Sequence, residues 1–142
     1  MTEIPDIKSF NAAIVDEFRA NGGKVGGPFE GADLLLLHTT GAKTGQQRIS
    51  PLAYFTIEGR TIVIGSYAGA NTDPAWVHNL RANPRAHVEV GTSAYDVEAR
   101  ELPTAERDAL YPLLVELAPV FGEYQSKTSR IIPLFELAKS LN

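Results

Sequence analysis

The apolar positions of the chain change their spacing several times, and each change marks an element. Ile7, Phe10, Ile14 and Phe18 recur every three or four residues, with Asp16, Glu17 and Arg19 on other faces. Asn21-Gly22-Gly23 stops the pattern, which predicts an amphipathic helix within residues 1–23. Such a stripe can pack on the domain or lie on a membrane surface or a partner, and periodicity alone does not choose. Lys24 to Gly31, rich in glycine and proline, reads as a loop. Leu34 to Leu37 is a short continuous apolar run, the signature of a strand buried on both faces. Thr39 to Gln47 holds two glycines and no apolar period, so it reads as a tight connection. From Arg48 the pattern alternates. Ile49, Pro51, Ala53, Phe55 and Ile57 share one face, and Arg48, Ser50, Leu52, Tyr54 and Thr56 share the other. Glu58-Gly59 then suggests a two-residue hairpin into Thr61–Gly65. That turn sets Leu52 opposite Gly65 and Ser50 opposite Tyr67, and predicts open backbone at Gly65 where a flat ligand would lie.

Asp73-Pro74 reads as an N-cap carboxylate with proline at the first helical position, and Asn83-Pro84 as the stop. Trp76, Asn79, Leu80 and Asn83 share one side of this helix, a mixture of aromatic and amides that plain packing does not need. Strands Ala86–Val90 and Tyr95–Arg100 follow, joined by Gly91-Thr92-Ser93. Leu102-Pro103-Thr104 opens a further helix with Leu110, Leu113, Leu114 and Leu117 as its expected buried stripe, which Pro112 should kink or interrupt. Val120 to Lys127 reads as a short helix or a lid, and Ile131 to Leu137, with its Pro133, as an edge strand. This order lacks the strand-helix rhythm of a parallel sheet. It predicts an α+β fold, a mostly antiparallel barrel with flanking helices, in one domain spanning residues 1–142.

Composition narrows the function. A chain of 142 residues with 44% hydrophobic and 21% charged positions is an ordinary globular protein, and its net charge of −4 disfavours nucleic acid as a partner. The absence of cysteine excludes disulfides, thiolate metal sites and a cysteine nucleophile. The first residues lack the basic start and apolar run of a signal peptide, and no run approaches the roughly 18 apolar residues of a membrane span. The expectation is a cytoplasmic protein, with peripheral membrane contact through the first helix as the alternative, and either a monomer or a homodimer.

The chemistry lies in the turn. A phosphate needs converging donors, and Thr39, Thr40, Lys43, Thr44 and Arg48 supply hydroxyls and cations around a glycine-rich connection. The order GxxxxGK[ST] is absent, so a solvated hairpin with solubilising cations stays open as the alternative. No GxGxxG or GxSxG motif occurs, and His38, His78 and His87 form no recognisable site.

Thr39-Thr40-Gly41-Ala42-Lys43-Thr44-Gly45-Gln46-Gln47-Arg48, with Ser50-Pro51-Leu52 after it, and then Asp73-Pro74-Ala75-Trp76-Val77-His78-Asn79-Leu80-Arg81-Ala82-Asn83-Pro84, closely resembles the deazaflavin (coenzyme F420)-dependent nitroreductase family. The resemblance spans roughly residues 33–133 and implies a split β-barrel related to the FMN-binding barrels. By resemblance Lys43 and Arg48, with Thr44 beside them, hold the cofactor's phosphate. By the same resemblance Pro51 and Leu52 approach it, Ser66 lines its ring, and Trp76 and Asn79 close over it or hydrogen-bond to it, while Ser50 and Tyr54, on the face of Arg48, and Gly65, opposite Leu52, join the candidate site from the strand pattern. For Trp76 a plain core role stays open. The segment Tyr124-Gln125-Ser126, with Thr128, Arg130, Ile132 and Pro133, resembles the part that covers the substrate, although Ala118 and Phe121 stand where some relatives carry tyrosines.

The implied activity is hydride transfer from reduced F420 to a planar electrophilic acceptor, a quinone, enone or nitroaromatic, with no metal. Tyr124 or Ser66 would then protonate or stabilise the resulting anion. Two alternatives remain at this stage: an FMN-dependent oxidoreductase of the related barrel, and a non-catalytic carrier of F420 or a flavin-like ligand.

Overall fold

In the computed structural model, which describes residues 7–26 and 33–140, the chain runs α1 (Ile7–Ala20), β1 (Leu34–Thr40), β2 (Gln47–Ile57), β3 (Arg60–Ile64), a 3₁₀ turn (Tyr67–Gly69), α2 (Ala75–Ala82), β4 (Arg85–Val90), β5 (Ser93–Glu101), α3 (Thr104–Leu117), α4 (Val120–Ser126) and β6 (Leu134–Lys139). The six strands close into a barrel in the order β1-β2-β3-β6-β5-β4, with each adjacent pair antiparallel. This is the α+β split barrel with flanking helices that the sequence predicts.

β1 is buried on both faces because both are covered. Leu35 and Leu37 enter the barrel interior with Val63, Val88 and Phe135, whereas Leu34 and Leu36 lie under α1 with Ile14, Val15 and Phe18. Each such side chain, fully buried, contributes about 1.5–3 kcal/mol. β2 divides as its alternation predicts. Leu52 and Tyr54 pack inward, Ile49 and Ala53 under α1, and Phe55 and Ile57 beneath α3 and α4. Arg19 on α1 also pairs with Glu89 on β4 at 2.7 Å. Ile14 and Phe18 are thus spent on the barrel, and the membrane-surface alternative gains no support from them; the side chains of Ile7 and Phe10 lie outside the described residues, as does most of the predicted 24–31 loop. Among the described residues no helix is long and apolar enough to cross a membrane.

Glu58 and Gly59 both have positive φ, 52° and 75°, the geometry of a type I′ hairpin. The register is the expected one, from Ile57↔Arg60 to Tyr54↔Val63, but the ladder ends there, short of Leu52 and Ser50. Gly65 instead donates its N–H to the Pro133 carbonyl at 2.9 Å. A Cβ on Gly65 would stand 2.9 Å from both Pro133 Cγ and Val77 Cγ2. The open backbone predicted at Gly65 is therefore corrected: that side of the glycine is filled by protein.

Four further expectations change. Asp73 does not cap α2, whose N-cap position is Pro74 without a side-chain bond; its carboxylate accepts from Arg81 Nη1 at 2.9 Å and Arg130 Nη1 at 2.7 Å. α3 runs through Pro112 without a break. Its buried face is Leu110, Tyr111 and Leu114, while Leu113 and Leu117 are exposed. Tyr111 supplies the packing that sets this face, since its hydroxyl donates to the Phe121 carbonyl at 2.8 Å and ties α3 to α4. Finally, β6 is no edge: it begins after Pro133 and is zipped between β3 and β5, because a closed barrel leaves no edge.

Candidate active site

The turn between β1 and β2 is bonded to itself. Gly41 N–H donates to the Gln46 carbonyl at 2.7 Å and Gly45 N–H to the Gly41 carbonyl at 2.9 Å. The Gln46 N–H also donates to Thr44 Oγ1 at 3.2 Å. α2 fixes the turn from the side. Asn79 Oδ1 accepts the Ala42 N–H at 2.9 Å, and Asn79 Nδ2 donates to Thr39 Oγ1 at 3.1 Å. Thr39 and Asn79 are both buried, so unpaired amides there would be destabilising and the bonds hold the turn in one place. Asn79 thus fastens the turn to the helix.

Beside this turn lies a groove of about 820 Å³. The turn contributes Ala42, Lys43 and Thr44, β2 contributes Gln47 to Ser50, α2 contributes Ala75, Trp76, His78 and Asn79, and α1 contributes Ala12, Val15 and Asp16. Six residues predicted from sequence, Lys43, Thr44, Arg48, Ser50, Trp76 and Asn79, are brought together here. Trp76 is also a core residue, edge-to-face with Phe135 at 5.6 Å, so the core role left open for it is real and it still forms a groove wall. Lys43 and Arg48 are exposed. Among the described residues neither has an ion-pair partner, whereas Arg81, Arg100, Arg107 and Arg130 all do. The groove therefore combines an apolar strip (Ala12, Val15, Ile49, Ala75, Trp76) with the two cations Lys43 and Arg48 and a single carboxylate, Asp16, a lining that suits a ring-bearing anion.

The remaining predicted residues lie elsewhere. Pro51, Leu52 and Tyr54 are half-buried further along β2, and burial pushes the Tyr54 hydroxyl above its ordinary pKa. Gly65 and Ser66 follow β3. Ser66 is buried, and its carbonyl accepts from Arg130 Nη2 at 2.9 Å. Tyr124 sits on α4, edge-to-face with Phe121 at 5.7 Å, and α4 packs against the Tyr67–Gly69 turn. Phe121 and Ala118, which stand where some relatives carry tyrosines, belong to the packing beneath α3 and α4.

Three features escape the sequence reading. The first is the α1 wall of Ala12, Val15 and Asp16, beside the Ile14/Phe18 stripe, which no local spacing connects to the turn. The second is His78, which opens into the groove from α2. The third is the segment after β3, where Tyr67 and Ala68 take left-handed φ of 46° and 54°. Such conformations cost about 1–3 kcal/mol each in a residue other than glycine. At the outer end of α1, the Arg19 guanidinium, with His38 at 2.6 Å, holds the Glu89 carboxyl at about 2, well below its ordinary value.

A closed antiparallel barrel of six strands with flanking helices is a split β-barrel. The family model described as F420H(2)-dependent quinone reductase matches residues 12–139. A Mycobacterium tuberculosis (strain ATCC 25618 / H37Rv) protein named F420H(2)-dependent quinone reductase is 37% identical over 128 residues, covering 86% of this chain and 85% of that protein. Among solved structures, an F420-H2 dependent reductase (FDR-A) is 39% identical with a TM-score of 0.65, covering 74% of this chain and 93% of the other. A structure described as a domain-swapped dimer is 32% identical with a TM-score of 0.68, covering 93% and 99%. The chain belongs to the F420H(2)-dependent quinone reductase family.

Proposed function

We infer that this protein, as a single domain, transfers a hydride from reduced coenzyme F420 to a quinone. The observation that carries this reading is the pair Lys43 and Arg48, without an ion-pair partner among the described residues, in a groove that also holds the apolar strip Ala12, Val15, Ile49, Ala75 and Trp76. F420 bears a phosphodiester and a planar ring, so the donor set fits it: cations for the anion, apolar strip for the body. When bound, the cofactor supplies a hydride from its reduced central ring, and the acceptor takes up that hydride and a proton.

The chain's own residues do the rest. Lys43 and Arg48 hold the phosphate, and the Thr44 hydroxyl, whose oxygen already accepts from Gln46 N–H, keeps its proton for a further acceptor. Asn79 positions the turn that carries these groups. Ala12, Val15, Ile49 and Trp76 give the body of the ligand an apolar strip to lie against, where it sheds water on binding. Pro51, Leu52 and Tyr54 extend the site along β2, Gly65 and Ser66 border its ring end, and the hydroxyls of Ser66 and Tyr124 donate to the reduced acceptor. A homodimer is the assembly favoured by the domain-swapped relative.

Fluorescence titration with F420 and FMN tests this reading. F420 should bind and FMN should not compete, and the reduced F420 should be oxidised by menadione. Changing Lys43 and Arg48 together to alanine should abolish F420 binding with little change in thermal stability, because exposed cations contribute little to folding. Undiminished affinity in the double variant would remove the phosphate assignment. A yellow, FMN-loaded protein would favour the related flavin chemistry instead.

A further inference from the structure

The segment from Gly65 to Ala70 departs from local economy. A chain that needs only a reversal after a strand places glycine at left-handed positions, since glycine reaches them without a steric penalty. Here Tyr67 (φ 46°) and Ala68 (φ 54°) stand there instead. The conformation is held from two sides. On one side Arg130 donates from Nη1 to the Gly65 carbonyl at 3.0 Å and to Asp73 Oδ1 at 2.7 Å, from Nη2 to the Ser66 carbonyl at 2.9 Å, and from Nε to the Ala70 carbonyl at 3.0 Å. Only 13% of its side chain is exposed. On the other side α4 closes in so tightly that a Cβ on Gly69 would stand 2.8 Å from the Tyr124 carbonyl oxygen. Arg130 is itself anchored, because its carbonyl accepts from Gln125 Nε2 at 2.7 Å and its N–H donates to Thr128 Oγ1 at 3.1 Å.

What this arrangement secures is side chains, not a turn. Ser66 is kept buried beside the guanidinium, and Tyr67 is left 49% exposed, with Ile131 next to Arg130 at 61%. Tyr67 belongs to the turn on which α4 packs, with the Tyr124 backbone against Gly69. A planar acceptor needs a flat aromatic face and a hydroxyl within reach of its oxygen. We propose that Arg130 is a positioning residue of the acceptor end: by clamping residues 65–70 it sets the Ser66 hydroxyl and the Tyr67 ring where a planar quinone meets them. Arg130 touches neither quinone nor cofactor, and the fork of its guanidinium is what lysine cannot reproduce. The proposal rests on the quinone reductase reading above.

The test uses the full chain with F420 and menadione. Arg130→Met should raise the KM for menadione by about tenfold or more, the loss expected when charge-assisted bonds are removed. F420 affinity, carried mainly by Lys43 and Arg48 at the phosphate end, should fall by no more than about threefold, the share that Gly65 and Ser66 contribute at the ring end. Arg130→Lys should fall between. Adding Ala68→Gly to Arg130→Met should recover part of the KM, since glycine takes the left-handed conformation unaided. An unchanged KM in Arg130→Met, or a loss shared equally by F420 affinity and not relieved by Ala68→Gly, would overturn the proposal. If Arg130→Met fails to fold, Arg130→Lys and Asp73→Asn carry the same comparison. Wild-type turnover separates the two claims: its failure counts against quinone reduction itself. Amide exchange of residues 65–70 without cofactor reads the clamp alone, and exchange in Arg130→Lys as slow as in the wild type would refute it.

Discussion

Single residues in this protein do work that their type alone does not announce. Gly65 looks like a gap left for a ligand, yet Pro133 and Val77 occupy the place of its missing side chain. Gly65→Ala should therefore be destabilised by about 1–3 kcal/mol, the usual cost of overpacking, which a denaturant titration would measure. A neutral result would mean that the strand end relaxes freely. Asn79 is similar: the sequence marks it as polar in an unexpected place, and its bonds to Ala42 and Thr39 show why it is there. Asp73 looks like a helix cap and is instead the shared acceptor of Arg81 and Arg130. A carboxylate beside Pro74 satisfies the pattern of a cap, but two guanidiniums, Arg81 from the end of the same helix and Arg130 from 57 residues on, outcompete one backbone N–H.

At the scale of elements, α1 is the least expected contributor. Its stripe packs on β1 and β2, and its neighbouring face walls the groove. Arg19 and His38 meet on Glu89 at the helix's end, and the Glu89 carboxyl lies at about 2 against an ordinary 4.5. A depressed carboxylate stabilises the folded state above its unfolded pKa and loses that contribution as pH falls through the folded one. The pair thus acts fully above pH 4.5 and fades towards pH 2. Glu89→Gln should flatten the fall in melting temperature across that window; an unaltered acid profile would show that the pair does not anchor α1. α3 teaches the opposite lesson about local rules, since Pro112 removes one hydrogen bond and the helix continues because Leu110, Tyr111 and Leu114 are buried against the barrel.

For the whole molecule, barrel closure decides stability. β6, the last strand, joins β3 to β5 and places Phe135 inside against Trp76. Phe135→Ala should cost about 3–5 kcal/mol in a cooperative unfolding transition, because the cavity would open at the centre of the closed sheet. Loss of less than the lower figure would imply that the interior collapses around the gap. The same closure links the site to the core: Trp76 serves both, so its replacement would change stability and groove shape together.

The periodicities determined most of the elements. The run Leu34–Leu37, the alternation after Arg48, the hairpin at Glu58-Gly59 and the stop at Asn83-Pro84 are local signals, carried by neighbours in the chain and legible without the fold. The cations of the turn were legible for the same reason, because Lys43 and Arg48 lie within a few residues of each other. Tertiary structure alone decided that α1 walls the groove, that Pro133 fills the space at Gly65, that β6 is internal, and that Arg130 reaches back to Gly65, Ser66 and Ala70. Each of these joins residues far apart in sequence, and contacts of that kind follow from which faces the closed barrel leaves to be covered, a choice no local spacing records.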